Sequence, residues 1–329
     1  MSDTPQAYIL VGPTASGKSS VAQFLAEQTG SPIVSADSMN IYRGMDIGTA
    51  KPTAAERGAV NYHGIDLADP TQPFSVGDWL DAVKPAFEKQ TTIVAGGTGL
   101  YVKCLLAGLD PMPAADEALR ARAEKMSLVE LQAEARAASP EAYASLADNE
   151  NPRRLVRLLE KFQGLEKTDG KVPLSGNVDA GSSPLSSNAW KKELPTVVGL
   201  HVEREVLLKR IAKRVDQMYA GGLIDEARGL VDLELSVTAQ KAIGYAEAFA
   251  VLRGEMTEAQ AKERTIIRTR QLAKRQMTWF RTQLNVEWVN TADFQTRGKS
   301  VAPTGLLFPD IGRLAAEVSR VWKKVPVVL

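Results

Sequence analysis

Gly12-Pro13-Thr14-Ala15-Ser16-Gly17-Lys18-Ser19 fits the pattern G-x-x-x-x-G-K-[ST] at every fixed position. The spacing has a mechanism. The glycines let the backbone wrap around a phosphate with its N–H groups pointing inward, and the helix that follows presents its positive N-terminal end. Lys18 adds a point charge, and the Ser19 hydroxyl is suited to hold Mg²⁺. The alternative is a chance glycine-rich turn. Context favours the phosphate loop: the apolar run Ala7–Val11 leads into it, and Ser19–Thr29 behind it places Val21, Ala22, Leu25 and Ala26 on one helical face. The motif alone does not choose between ATP or other nucleotide hydrolysis, phosphoryl transfer and diphosphate binding. The sequence has no Asn-Lys-x-Asp and no long apolar strand ending in adjacent acids, which weighs against a guanine-specific switch and a motor ATPase.

Working outward, Pro32–Ala36, Thr91–Ala95 and Thr196–Val202 are further short, apolar, β-branched runs of the kind found in buried parallel strands. A helical pattern over Val76–Lys89 carries Trp79, Leu80, Val83 and Phe87, with Pro85 as a potential kink. Strand–helix alternation predicts an α/β fold with a doubly wound parallel sheet of the P-loop NTPase type. After Pro113 the pattern changes. Asp116 to Gln163 reads as entirely helical, and the stretch 164–188 turns Gly/Ser/Pro-rich, as a loop would. The expected organisation is a P-loop catalytic core of 1–115 and 195–329, interrupted by a helical insertion at 116–194. Further helices are expected near Arg204–Tyr219, Leu223–Leu233, Tyr245–Arg253, Thr257–Gln283 and Ile311–Trp322, with a strand at Val286–Val289.

Composition sets outer bounds. The 329 residues are 44% hydrophobic and 24% charged, as in an ordinary globular chain. The longest apolar runs, such as Ala7–Val11 and Ala248–Leu252, are far too short to span a bilayer. The N-terminus lacks a basic n-region and carries Asp3, so a cytoplasmic protein is expected. The one cysteine, Cys104, cannot form an internal disulfide, and two histidines, His63 and His201, leave little for zinc. With a net charge of +1, any nucleic-acid binding must come from local basic clusters.

The second strand runs into Ala36-Asp37-Ser38-Met39-Asn40. Ligands in such sheets sit beyond the carboxyl ends of strands, so Asp37 is expected beside the phosphate loop. It could hold magnesium or accept a proton, or merely cap a turn. The longer stretch from Asp37 to Pro52, Asp-Ser-Met-Asn-Ile-Tyr-Arg-Gly-Met-Asp-Ile-Gly-Thr-Ala-Lys-Pro, closely resembles the signature of the bacterial tRNA dimethylallyltransferases. The phosphate loop has that family's form. So do Gly96-Gly97-Thr98-Gly99-Leu100-Tyr101, Asn151-Pro152-Arg153-Arg154-Leu155, and the run Thr269 to Arg281. Together these blocks cover about residues 8 to 290. The sequence departs from the family pattern at Asn40, where Gln is usual, and at Tyr62-His63, where a His pair is frequent.

The resemblance implies transfer of a dimethylallyl group from its diphosphate to N6 of the adenosine immediately 3′ of the anticodon, with Mg²⁺ shielding the departing diphosphate. It implies that Gly12 to Ser19 hold the donor and that Ser19 helps place the metal. Asp37 matches the family's general base, and Thr98 lies near the diphosphate and the target nucleotide. Asp37, Ser38, Met39, Asn40, Thr98, Arg120, Lys241 and Gly244 match tRNA-contact positions. Arg153, Arg154 and Arg157 in the insertion, and Lys274, Arg275 and Arg281 with Arg268 in the last long helix, are expected to meet tRNA phosphates; a solvated helix face is the plain alternative. Arg210 and Arg214 are candidates to reach the diphosphate. The glycines flanking Thr98 are expected to let a substrate backbone come close. The partners are then tRNA and dimethylallyl diphosphate, and a monomer is expected. The competing readings are a small-molecule kinase on the same phosphate loop and a non-catalytic RNA-binding protein; the second leaves Asp37 without a task.

Overall fold

The chain runs through a strand, a phosphate loop and a helix, and then returns repeatedly to one sheet. In the computed structural model, residues 6–88, 90–109, 116–146, 148–167, 194–294, 310–324 and 327–328 are described. β1 (Gln6–Val11) leads to α1 (Lys18–Thr29), β2 (Ile33–Ser35), α2 (Ala54–Ala59), β3 (Tyr62–His63), α3 (Val76–Val83), β4 (Thr92–Gly96) and α4 (Gly99–Ala107). After four helices, α5 (Glu117–Ala123), α6 (Leu128–Ala138), α7 (Pro140–Ala144) and α8 (Pro152–Lys167), the chain rejoins the sheet as β5 (Val197–His201). Then come α9 (Arg204–Ala220), α10 (Leu223–Arg228), α11 (Tyr245–Leu252), α12 (Glu258–Gln283), β6 (Val286–Asn290), α13 (Ile311–Trp322) and β7 (Val327–Val328).

The strand order is β3-β2-β4-β1-β5-β6, all parallel, with β7 adding an antiparallel pair to the start of β1. The expected α/β fold with a parallel sheet is therefore present. β1 sits centrally, in register with β4 from Ala7↔Thr92 to Val11↔Gly96, so both strands end at the same level. That edge carries the phosphate loop and the Gly-Gly-Thr-Gly loop side by side. Buried Leu10, Ile33, Ile93, Val198 and Leu200 from the sheet pack with Val21, Ala22 and Leu25 of α1 and with Leu314, Val318 and Trp322 of α13. The Trp322 indole N–H donates to the Ile9 carbonyl at 3.1 Å, which satisfies its polar atom inside the core.

Local chemistry explains the departures from expectation. The helix expected over Val76–Lys89 ends at Val83 and tightens into a 3₁₀ turn over Lys84–Phe87, because Pro85 has no N–H to continue the ladder. The helix expected to reach Leu233 ends at Arg228, where the Gly229 N–H turns back to Asp225 and Glu226. β3 and β7, of two residues each, were not expected.

The chain forms two compact units, Met1–Gly108 with Lys191–Leu329, and Leu109–Trp190. In the second unit, Leu119, Leu131, Ala135, Tyr143, Leu155, Leu158 and Leu159 make a separate helical core. The loop expected from residue 164 does not begin there, because α8 continues to Lys167; 168–188 lies outside the described residues. Among the described residues, no helix is long and apolar enough to cross a membrane.

Candidate active site

β1 ends at Val11 and the chain turns at once. Ala15 and Gly17 adopt left-handed conformations (φ 63° and 94°), and the Ser16 N–H donates to the Pro13 carbonyl at 3.2 Å. Alternating hand along a short loop turns successive N–H groups toward one side, forming an anion nest. α1 starts immediately after Gly17. Lys18 is buried, and its ammonium approaches the Pro13 carbonyl at 3.4 Å. Burial lowers its pKa from 10.5 to about 8; nearby Asp37 opposes that shift and Arg214 adds to it. Ser19, on the first turn of α1, is exposed.

α9 supplies two guanidinium groups one turn apart. Arg210, buried, donates to the Ser16 carbonyl at 3.3 Å, which braces the loop from below. Arg214 donates to the Thr49 carbonyl at 3.4 Å. Burial lowers the pKa of both, and Asp37 partly offsets this at Arg214. Lys18, Arg210 and Arg214 thus gather around the loop with Asp37 as the nearby acid. The surplus of positive charge suits a polyanion.

Asp37 follows β2 by two residues. Its Oδ1 accepts from the Met39 N–H at 3.0 Å, the capping geometry that was the plain alternative. The same carboxylate lies close enough to Lys18 and Arg214 to favour their charged forms, so the two roles coexist. Thr98, from the end of β4, accepts the Ser38 N–H at 3.0 Å and donates to the Ser38 hydroxyl at 3.3 Å. Its own N–H donates to the Ala36 carbonyl at 3.0 Å. Thr98 therefore fixes the backbone next to Asp37.

The room left by the glycines is not open to a substrate, as the sequence had suggested. A Cβ on Gly97 would stand 2.3 Å from the Gln276 amide nitrogen, and one on Gly99 would stand 2.0 Å from the Trp279 ring. Both slots are filled by α12. The Gln276 side chain accepts from the Thr14 N–H at 2.8 Å and donates to the Gly97 carbonyl at 3.0 Å. Sequence reasoning quoted Gln276 within a motif but gave it no task.

The Met39–Lys51 loop is held from both sides. The Lys51 ammonium, inaccessible to solvent, meets Asp46 at 2.5 Å, Asp66 at 2.6 Å and the Tyr42 carbonyl at 2.7 Å. The Glu226 carboxylate of α10 accepts the N–H groups of Asp46 and Ile47 at 3.0 Å and that of Gly48 at 3.4 Å. Neither residue was singled out from the sequence. Asn40, expected to contact tRNA, is buried and donates to the Ser35 hydroxyl at 3.2 Å, so its side chain holds the loop from inside.

The basic residues separate into two groups. Arg268, expected on a phosphate-binding face, instead pairs at 2.5 Å with Glu247, which is 1% exposed. It also donates to the Lys241 carbonyl at 3.1 Å, while Glu247 accepts the Gly244 N–H at 2.8 Å. Arg268 is thus an internal partner that ties α12 to the Lys241–Gly244 turn; Lys241 itself is exposed. Lys274, Arg275 and Arg281 are exposed. In the second unit, Arg120 and Arg157 both reach the buried Glu160 at 2.7 Å. Burial pushes the Glu160 pKa up, but these hydrogen bonds outweigh it and hold the group below its ordinary value. Each arginine keeps about half of its side chain in solvent (51% and 42%), so the pairing orients a guanidinium at the surface of this unit. Arg153 and Arg154 are exposed. His63 lies on β3, half-buried and beside Asn61, and burial lowers its pKa. Cys104 is buried in α4.

The family described as IPP transferase matches residues 40–283, and that described as isopentenyl transferase matches residues 5–62. The chain belongs to the IPP transferase family. It is 39% identical over 297 residues to a tRNA dimethylallyltransferase of Streptomyces griseus, covering 87% of this chain and 90% of that protein. A tRNA dimethylallyltransferase of Geobacter metallireducens is 40% identical over 292 residues, covering 85% and 91%. Among solved structures, the full-length tRNA isopentenylpyrophosphate transferase of Bacillus halodurans aligns with a TM-score of 0.59 at 32% identity, covering 97% of this chain and 99% of the other. A eukaryotic dimethylallyltransferase acting on tRNA shares the fold, with a TM-score of 0.66 at 21% identity over 87% of this chain and 74% of that one. For an IPP transferase, the phosphate loop, Asp37 and Thr98 lie together on one sheet edge of the first unit.

Proposed function

We propose that this IPP transferase moves a dimethylallyl group from dimethylallyl diphosphate to N6 of the adenosine 3′-adjacent to the anticodon in tRNA, releasing diphosphate. The observation that carries the reading is the pairing of an anion nest and three buried or half-buried cations with a carboxylate, Asp37, on the same sheet edge. A phosphate-transferring enzyme needs the first; alkylation of a weak amine nucleophile also needs the second.

The N6 lone pair is delocalised into the adenine ring, so the amine becomes a competent nucleophile only as its proton leaves. In the transfer the C–O bond to the diphosphate breaks, the N6–C bond forms, and the N6 proton passes to the Asp37 carboxylate. Acid–base help of this kind contributes about 10²–10⁴-fold. Negative charge grows on the leaving diphosphate, and Lys18, Arg214 and the N–H groups of the loop meet it in a preorganised site. Thr98 keeps the Asp37–Ser38 backbone in place. The Ser19 hydroxyl, exposed on the first turn of α1, is a hard oxygen that would hold Mg²⁺, which in such sites takes one or two protein oxygens and completes its shell with phosphates and water. When bound, the ion would neutralise diphosphate charge. On this reading phosphates of the anticodon arm meet Lys274, Arg275 and Arg281 of α12 in the first unit; Arg153 and Arg154 of α8 are separate candidates for phosphate contacts within the second unit.

The test is incubation with dimethylallyl diphosphate, Mg²⁺ and unmodified tRNA, beside ATP with a panel of small hydroxyl acceptors. Prenylated adenosine in the tRNA digest supports the reading. ATP turnover without tRNA product overturns it in favour of a kinase.

A further inference from the structure

α12 is one continuous helix of 26 residues that carries two different surfaces in its second half. One is exposed and basic: Lys274, Arg275 and Arg281. The ion pairs that α12 forms among the described residues involve Lys262, Arg264 and Arg268, all in its first half. The other surface faces the donor loops. Gln276 accepts from the Thr14 N–H at 2.8 Å and donates to the Gly97 carbonyl at 3.0 Å, while Trp279, about one turn on, covers Gly99. One carboxamide is therefore bonded to both loops of the site. One is the phosphate loop. The other carries Thr98, whose hydroxyl holds the backbone beside Asp37.

The consequence is mechanical. A helix backbone is a stiff hydrogen-bonded rod, so a force on Lys274 or Arg275 acts on Gln276 in the same turn. Hydrogen bonds weaken steeply with misalignment, so a small shift of the carboxamide changes the loops it holds. Gly97 makes this close contact possible, and a Cβ added there would lie 3.8 Å from the Lys18 ammonium. We propose that Gln276 is a positioning residue that couples the two substrates. An RNA backbone seated on the Lys274–Arg281 surface fixes α12 against the loops and tightens diphosphate binding. By thermodynamic reciprocity, diphosphate tightens RNA binding by the same factor. The inference rests on the functional reading above.

The experiment measures affinities without chemistry, using inorganic pyrophosphate with Mg²⁺ and a synthetic anticodon stem–loop RNA. Each is titrated into the full-length protein in the absence and presence of the other. Wild type is expected to show mutual tightening of about five-fold or more, the lower end of ordinary coupling. Gln276→Met keeps the bulk and loses both hydrogen bonds; its coupling factor should fall to near one while RNA alone binds as in wild type. Gln276→Glu keeps the acceptor toward Thr14 and loses the donor toward Gly97, and it is measured beside the first, with thermal melting of both. A coupling factor equal to wild type in the folded variants overturns the proposal, as does independent binding of the two ligands by wild type. Failure of wild type to bind either ligand would instead overturn the functional reading, and this inference with it.

Discussion

Lys18→Met should stabilise the ligand-free protein and damage donor binding at the same time. The Lys18 ammonium is buried, and its pKa falls from 10.5 to about 8. Each pKa unit corresponds to 1.36 kcal/mol, so holding this charge in the folded state costs about 3 kcal/mol at neutral pH. The long hydrogen bond to Pro13, 3.4 Å, returns no more than about 1 kcal/mol of this in the comparison with methionine. A net gain of about 2 kcal/mol is expected at pH 7. The sign with pH follows from linkage. Below pH 8 both folded and unfolded states carry the proton, and the penalty is present in full. Between pH 8 and 10.5 the folded state sheds its proton while the unfolded chain keeps it, so wild type gains stability relative to the variant. The difference should close across that window. Donor affinity runs the other way. Diphosphate favours charged Lys18, so wild-type affinity should fall by up to about ten-fold per pH unit above pH 8, and the variant should lack that dependence. Chemical unfolding at pH 7 and 9.5, with calorimetric titration of dimethylallyl diphosphate at both, tests the two halves. A variant less stable than wild type at pH 7, or a stability difference that does not change with pH, would refute the reasoning.

Asp37→Asn keeps the turn to Met39 but removes the base, so the single-turnover rate should drop by about 10²–10⁴-fold with tRNA affinity unchanged; a rate near that of wild type ends the general-base role. Arg268→Ala leaves the buried Glu247 with the longer Arg264 contact at 3.8 Å and the Gly244 N–H, and should cost about 1–3 kcal/mol, seen as a lower denaturant midpoint. The triple variant Lys274→Ala, Arg275→Ala and Arg281→Ala should melt like wild type while the log–log salt slope of tRNA binding shrinks by up to about one unit per residue. An unchanged slope would return those three to a solvated face. Gly99→Ala drives a methyl into the Trp279 ring and should destabilise by about 1–3 kcal/mol, read from urea unfolding; a neutral effect would mean that α12 is not seated there.

What was legible in the sequence was local. The phosphate loop, the strand before it and the amphipathic helix after it lie within one short window, and the bounds of α13 follow from periodicity and the Asp310 cap. What escaped was pairing across distance. Thr14 and Gln276 are 262 positions apart, and Glu226 and Ile47 are 179 apart. No helical or strand period connects such residues. The two-residue β3 and β7 are too short to show an alternation at all, and they exist because β2 and β1 offer them partners.

Arg264, Arg268 and Arg275, at positions i, i+4 and i+11 of α12, share one face of the helix. That spacing does not determine what the face meets. At Arg268 it meets a buried acid from α11; two turns later, at Arg275, it meets solvent. The glycines show the same limit from the other side. Missing side chains at 97 and 99 announce that something comes close, and in this chain that is α12 itself, through Gln276 and Trp279. The helix proposed to carry the anticodon arm is therefore also a wall of the donor site. A substitution on its exposed face that shifts the helix will reach the phosphate loop, and one that enlarges residue 97 or 99 will reach the basic surface. The two substrate sites can be altered separately only by changes that leave the seat of α12 in place.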